Sequence, residues 1–168
     1  MSIVHLTPND FHITQSNDLA NKIPKFSLVF FSSANCIYCK DVLPAFIDVS
    51  TRIKGCTFAI MDVDQAGMKI VKMSENTKTP IAYVPLVIMY VKGIPLSVFD
   101  SDEENPSENS KRLEEFIIEN AKAVRDGKTP NGGSTSNKKN RICETSIGIA
   151  VCGPRGCRYM RESEAYAK

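Results

Sequence analysis

A Cys-x-x-Cys pair stands where an apolar run gives way to an amphipathic one, and few folds accommodate that junction. Phe26-Ser27-Leu28-Val29-Phe30-Phe31 is followed by Ser32-Ser33-Ala34-Asn35 and then by Cys36-Ile37-Tyr38-Cys39. The first run has the aromatic and branched composition of a buried strand, and the small polar residues after it form a turn able to cap a helix. The spacing predicts Cys36 in the first turn of a helix that continues through Val42, Phe46, Ile47 and Val49 to Gly55, with Pro44 kinking it. Unpaired backbone N–H groups at a helix start carry partial positive charge, stabilise a thiolate and lower a cysteine pKa from about 8.5 toward neutrality. Cys36 is therefore the expected nucleophile. Cys39, one turn further along the same face, is placed to attack a mixed disulfide on Cys36 and release the product. This chemistry requires the two sulfurs to lie together, open to a partner and free of a metal ion.

A chain of 168 residues with 42% hydrophobic content supports one good core. The expected organisation is a body over residues 1–126, a Gly/Ser/Asn-rich linker over 127–141 and a cysteine-containing extension over 142–168. The net charge of +2 conceals a mildly acidic body and a basic end. Such an end suits an acidic protein surface or a plain solvated extension; Lys138, Lys139, Arg141, Arg155, Arg158 and Arg161 could contact phosphates, but little aromatic interleaving supports nucleic acid. No apolar stretch reaches the roughly 20 residues of a membrane span, and MSIVHLTPNDF lacks the basic and apolar regions of a signal peptide. The expectation is a soluble cytoplasmic protein with no membrane partner. In a reducing compartment most of the six cysteines would be thiols, so the pair argues for redox exchange or metal binding rather than a structural staple.

Strands and helices alternate. Ile3–Leu6 reads as a first strand, and Thr7-Pro8 as the N-cap and first position of a helix over about residues 8–21. Residues 57–63 read as a strand leading into a short helix with Met68, Ile70, Val71 and Met73. After a polar loop over 75–83, residues 86–91 and 94–99 form a hairpin about Lys92-Gly93, and 111–125 a closing helix.

This β-α-β-α-β-β-α order, with Cys-x-x-Cys after the second strand, resembles the thioredoxin fold over about residues 1–125: a central mixed β-sheet flanked by helices, here with an extended C-terminal tail. Lys40, Pro44, the segment Met61-Asp62-Val63-Asp64-Gln65, and Val84-Pro85 before an apolar strand and Lys92-Gly93 all match. The resemblance implies that Pro85 is cis and lies opposite the cysteines, where Val84 and Pro85, with Ile37 and Tyr38, position an extended substrate. It implies a thiol-disulfide oxidoreductase acting on protein disulfides, with Cys36 attacking, Cys39 resolving, and neither cofactor nor metal. The sequence departs from the family pattern where Ile37-Tyr38 replaces Gly-Pro and where no tryptophan precedes the motif. Phe30 and Ile60 occupy the positions of the family's buried acid and its lysine partner. Losing both avoids a stranded buried charge but removes the base that would deprotonate Cys39. His5 and His12 are expected at the surface or in packing.

Cys56 is expected to be buried as a small apolar residue. Gly153-Pro154-Arg155-Gly156 permits a tight loop bringing Cys152 and Cys157 together as a disulfide or as two metal ligands, and zinc would lack a tail histidine. Ile147–Val151 is strand-like and should dock somewhere. Cys143 is a further cysteine of this region, and the basic, cysteine-bearing extension ending in Cys157-Arg158-Tyr159-Met160 and Ala165-Tyr166 is similar to that of thioredoxin-like proteins of large nucleocytoplasmic DNA viruses. That second resemblance implies the competing role: a structural component of a capsid or other assembly in the virion, with residues 128–168 binding neighbouring proteins.

Overall fold

The computed structural model describes residues 2–101, 105–127, 148–153 and 156–161, with the last two segments and Pro106 given by backbone alone. Residues 128–141 of the expected linker, Cys143 and the basic residues Lys138, Lys139, Arg141 and Arg155 lie outside the described residues. A five-stranded sheet forms the centre, built from β1 (Val4–Leu6), β4 (Phe26–Ser32), β5 (Thr57–Asp62), β7 (Leu86–Val91) and β8 (Ile94–Phe99), in the order β1-β5-β4-β7-β8. β1, β5 and β4 run parallel, while β7 is antiparallel to β4 and to β8. This is the mixed sheet of the thioredoxin fold.

β4 is central because both of its faces are apolar. Leu28, Val29, Phe30 and Phe31 have no exposed surface, which a strand achieves only when each face of the sheet is covered. Phe30 meets Phe46 of α1 (Cys39–Arg52) at a ring separation of 5.4 Å. Phe31, pointing to the opposite face by strand alternation, meets Phe11 of β2 (Phe11–Ile13) at 5.8 Å. α1 packs beside α3 (Asn109–Arg125), with Arg52 bridging Asp48 at 2.7 Å and Glu114. α2 (Gln65–Ser74) packs against β2, so it lies on the Phe31 side. α1 continues through Pro44, whose side chain is exposed.

The helix expected over residues 8–21 is absent. Thr7 does begin a turn, with its N–H donating to the Asp10 carboxylate at 2.8 Å, which holds that carboxyl below its ordinary pKa. The helical turn stops at Asp10, and β2 pairs with β3 (Leu19–Asn21) as an antiparallel hairpin. Aromatic and branched residues at 11–13 favour extended backbone. Asn17, at φ 65°, turns the chain, while Asp18 N–H donates to Thr14 Oγ1 at 3.1 Å. The tertiary contact of Phe11 with Phe31 overrides the helical start signal.

β6 (Tyr83–Val84) precedes β7. A further hairpin, β9 (Gly148–Gly153) and β10 (Gly156–Arg161), joins it to form a three-stranded sheet in the order β6-β10-β9. The register pairs Cys157 with Val84 and Arg158 with Tyr83. The strand expected within residues 147–151 therefore belongs to a hairpin that docks on the body's own backbone.

Candidate active site

Parallel pairing brings the C-terminal ends of β4 and β5 side by side, and the cysteine pair is built on that edge. Val63 N–H donates to Ser32 O at 2.9 Å. Ser33 Oγ then donates to Asp64 Oδ2 at 2.6 Å while accepting from Asn35 N–H at 3.3 Å. Ser33 is buried, so these bonds pin the turn that delivers Cys36 to the end of β5. Cys36 N–H donates to Ser33 O at 3.1 Å, and Lys40 N–H to Ile37 O at 3.1 Å. These three-residue closures place Cys36 in the turn ahead of the helix, and Cys39, not Cys36, is the first residue of α1.

That correction moves the electrostatic argument without removing it. The first N–H groups of a helix have no intrahelical acceptor, and Cys39 N–H is one of them. It donates to Cys36 Sγ at 3.1 Å. An N–H aimed at sulfur stabilises a thiolate there more than a thiol, so the helix start acts on Cys36 from just beyond its end.

Cys36 and Cys39 are joined as a disulfide, with their Cα atoms 5.3 Å apart. The sulfurs lie together, but they are not open. Cys36 is 1% exposed and Cys39 5%. Cys39 begins the apolar stripe of α1 that continues through Val42, Phe46 and Val49 into the core, which accounts for its burial. Beside the buried sulfurs, Ile37 presents an apolar side chain that is 65% exposed, while Tyr38 is half-buried.

The Val84–Pro85 peptide bond is cis, and both residues are buried. Leu86, the next residue, pairs with Phe31 one position before β4 ends, so Val84 and Pro85 stand at the same end of the sheet as the cysteines. β6 is not a free edge, because β10 is paired to it. The Ser33–Asp64 bond and the β6–β10 pairing are the two features of the site that sequence reasoning missed. Asp64 carried a signal, since it follows the end of the strand parallel to β4. The partner of β10 carried none.

Phe30 and Ile60 are direct cross-strand partners. The buried Phe30 ring stacks on Phe46, which in turn meets Phe58 at 5.4 Å, so an aromatic cluster fills this part of the core. Cys56, just before β5, is buried, and desolvation pushes its thiol up to about 12; it takes no part in the pair. His5 and His12 lie exposed on β1 and β2.

No family model matches the chain. The chain is 31% identical over 151 residues to uncharacterized protein 196R of Invertebrate iridescent virus 6, covering 88% of this chain and 79% of the relative. It is 30% identical over 80 residues to uncharacterized protein 020R of Invertebrate iridescent virus 3, covering 46% of this chain and 47% of that protein. Among solved structures it is similar to human ERp44, with a TM-score of 0.52 and 19% identity. That match covers 71% of this chain and 30% of ERp44, so the chain spans less than a third of that protein, and the likeness concerns the fold. The match to the Invertebrate iridescent virus 6 protein exceeds what residues 1–127 supply and so reaches into the segment beyond them. The chain therefore belongs to the family of this iridescent virus protein, with a thioredoxin-like fold and a Cys36–Cys39 disulfide.

Proposed function

We propose that this protein is a thiol-disulfide oxidoreductase acting on protein substrates. The observation that carries the reading is the Cys36–Cys39 disulfide with the helix-terminal N–H of Cys39 directed at Cys36 Sγ at 3.1 Å. In the reducing direction the Cys36 thiolate attacks a substrate disulfide, forming a Cys36–substrate bond and expelling one substrate thiolate. Cys39, deprotonated, then attacks Cys36 Sγ, re-forms the internal disulfide and expels the second thiolate. Two electrons pass to the substrate as the protein is oxidised, and the reverse sequence oxidises a substrate dithiol. An extended substrate segment would take the place of β10 beside Val84 and Pro85 at the same sheet end, and exposed Ile37 adds apolar contact. With Phe30 and Ile60 in place of a buried charged pair, water or hydroxide takes the Cys39 proton, so the resolving step quickens with rising pH.

The burial of both cysteines favours a second reading, in which the fold serves as a block within an assembly and the basic end binds neighbouring proteins. Adduct trapping separates the two. Under oxidising conditions with protein disulfides, Cys39→Ser is expected to accumulate mixed disulfides through Cys36, and Cys36→Ser to accumulate none. Absence of any adduct on Cys36, with the reduced protein also inert toward a small aromatic disulfide, refutes the enzymatic reading.

A further inference from the structure

Cys157 and Cys152 face one another across the β9–β10 hairpin as direct Cα partners. The same strand pairs Cys157 with Val84, two residues before Leu86, whose partner Phe31 leads into the turn bearing Cys36. The topology thus gathers four cysteines at one end of the sheet. Directly opposed residues of an antiparallel pair have Cα atoms about 4.5–5.5 Å apart, within the range of about 4.4–6.8 Å that a disulfide spans. Cys36, meanwhile, is 1% exposed, so an external disulfide reaches it only on occasions when this end of the sheet opens, and the more slowly the bulkier it is. A strand already paired to β6 does not wait for that opening.

We propose that Cys152 and Cys157 form a second, resident redox pair that exchanges electrons with Cys36–Cys39. This rests on the oxidoreductase reading and names the first substrate of the site: the protein's own hairpin. The Cys157 thiolate attacks Cys36 Sγ, forming a Cys36–Cys157 disulfide and releasing the Cys39 thiolate. Cys152, deprotonated, then attacks Cys157 Sγ, forming Cys152–Cys157 and releasing the Cys36 thiolate. One disulfide is gained and one lost, two electrons move from the hairpin to the helix pair, and no external oxidant is consumed. Attack within one chain proceeds at an effective concentration on the order of millimolar, so the transfer outruns exchange with dilute external thiols. The hairpin pair then becomes the outlet through which external partners meet the buried one.

The full chain carrying Cys39→Ser and Cys152→Ser together removes both resolving thiols. It is reduced, treated with oxidised glutathione, quenched in acid and mapped by mass spectrometry. The expected product is a Cys36–Cys157 linkage, formed when Cys157 displaces glutathione from Cys36, at a rate unchanged over about a tenfold range of protein concentration. Adding Cys157→Ser is expected to leave the glutathione adduct on Cys36 in place. A persistent Cys36–glutathione adduct without the linkage, or a Cys36–Cys143 linkage instead, overturns the proposal while the oxidoreductase reading stands. Failure of Cys36 to form any adduct overturns both. Unsubstituted protein supplies the independent check: after reduction by one equivalent of a phosphine, molecules retaining one disulfide are expected to include Cys152–Cys157. Retention of Cys36–Cys39 alone overturns the proposal.

Discussion

Replacing Gly93 by alanine tests whether the sheet that holds the site is anchored by backbone contact at its far end. Gly93 forms the β7–β8 turn at φ 82° and lies against β3. A Cβ added there would stand 2.2 Å from Asn21 O, far inside contact distance, and the obstructing atom is backbone of a residue that is 3% exposed. Asn21 N–H also donates to Gly93 O at 2.8 Å. The left-handed conformation costs a non-glycine residue about 1–2 kcal/mol, and separating the two backbones sacrifices that hydrogen bond, about 1 kcal/mol more. Gly93→Ala is therefore expected to destabilise the fold by about 2–3 kcal/mol. At about 2–4 °C per kcal/mol for a chain of this size, Tm falls by about 5–10 °C. Urea titration with the disulfide intact measures the loss directly. The neighbouring Lys92, also left-handed at φ 52°, gives the control: Lys92→Asn is expected to be neutral or mildly stabilising, since asparagine suits this turn. A loss below about 0.5 kcal/mol for Gly93→Ala would refute the reasoning, because neither the close approach nor the backbone conformation would then be enforced.

Three other outcomes follow from particular groups. Tyr90 is fully buried, its hydroxyl has no hydrogen-bond partner among the described residues, and burial pushes its pKa up; Tyr90→Phe is expected to stabilise the fold by about 1 kcal/mol in thermal or urea unfolding, whereas a loss of that size would show the hydroxyl to be bonded. Burial pushes the Cys56 thiol up to about 12 in the folded chain, from 9.0 for a solvated thiol. Its stabilising contribution is thus complete below pH 9 and lost as pH rises toward 12, at up to about 1.4 kcal/mol per pH unit relative to Cys56→Ala; identical pH slopes for the two proteins would contradict this. Ser33→Ala removes the 2.6 Å bond to Asp64, and is expected to cost about 1 kcal/mol and to change the rate at which the reduced pair reacts with a small disulfide. Unchanged stability and rate together would show that the turn is held by other bonds.

The redox junction was legible because it is local. An apolar run, a polar turn and two cysteines three residues apart define a strand, a bend and a helix face within fourteen positions, and the β7–β8 hairpin was similarly visible in Lys92-Gly93, whose positive φ angles match the turn. The segment after Thr7 was misread for the complementary reason: Thr7-Pro8 signals a helix start, but the contact between Phe11 and Phe31 that keeps the next residues extended joins positions twenty apart. The pairing of Phe30 with Ile60 agrees with the positions that the thioredoxin resemblance implied for them.

From the residues alone came the alternating strands and helices and the identity of the disulfide pair, since each depends on chemistry within a few positions or on periodicity, while the apolar replacement of a charged pair came from the family resemblance. Tertiary structure decided that Cys36 stands ahead of the helix with Cys39 N–H on its sulfur, that both cysteines are closed off, and that β10 lies against β6. Those outcomes depend on which distant surfaces cover one another. Strand edges accept any backbone of suitable extension, so a hairpin more than sixty residues further along the chain leaves no mark in the sequence of the strand it joins.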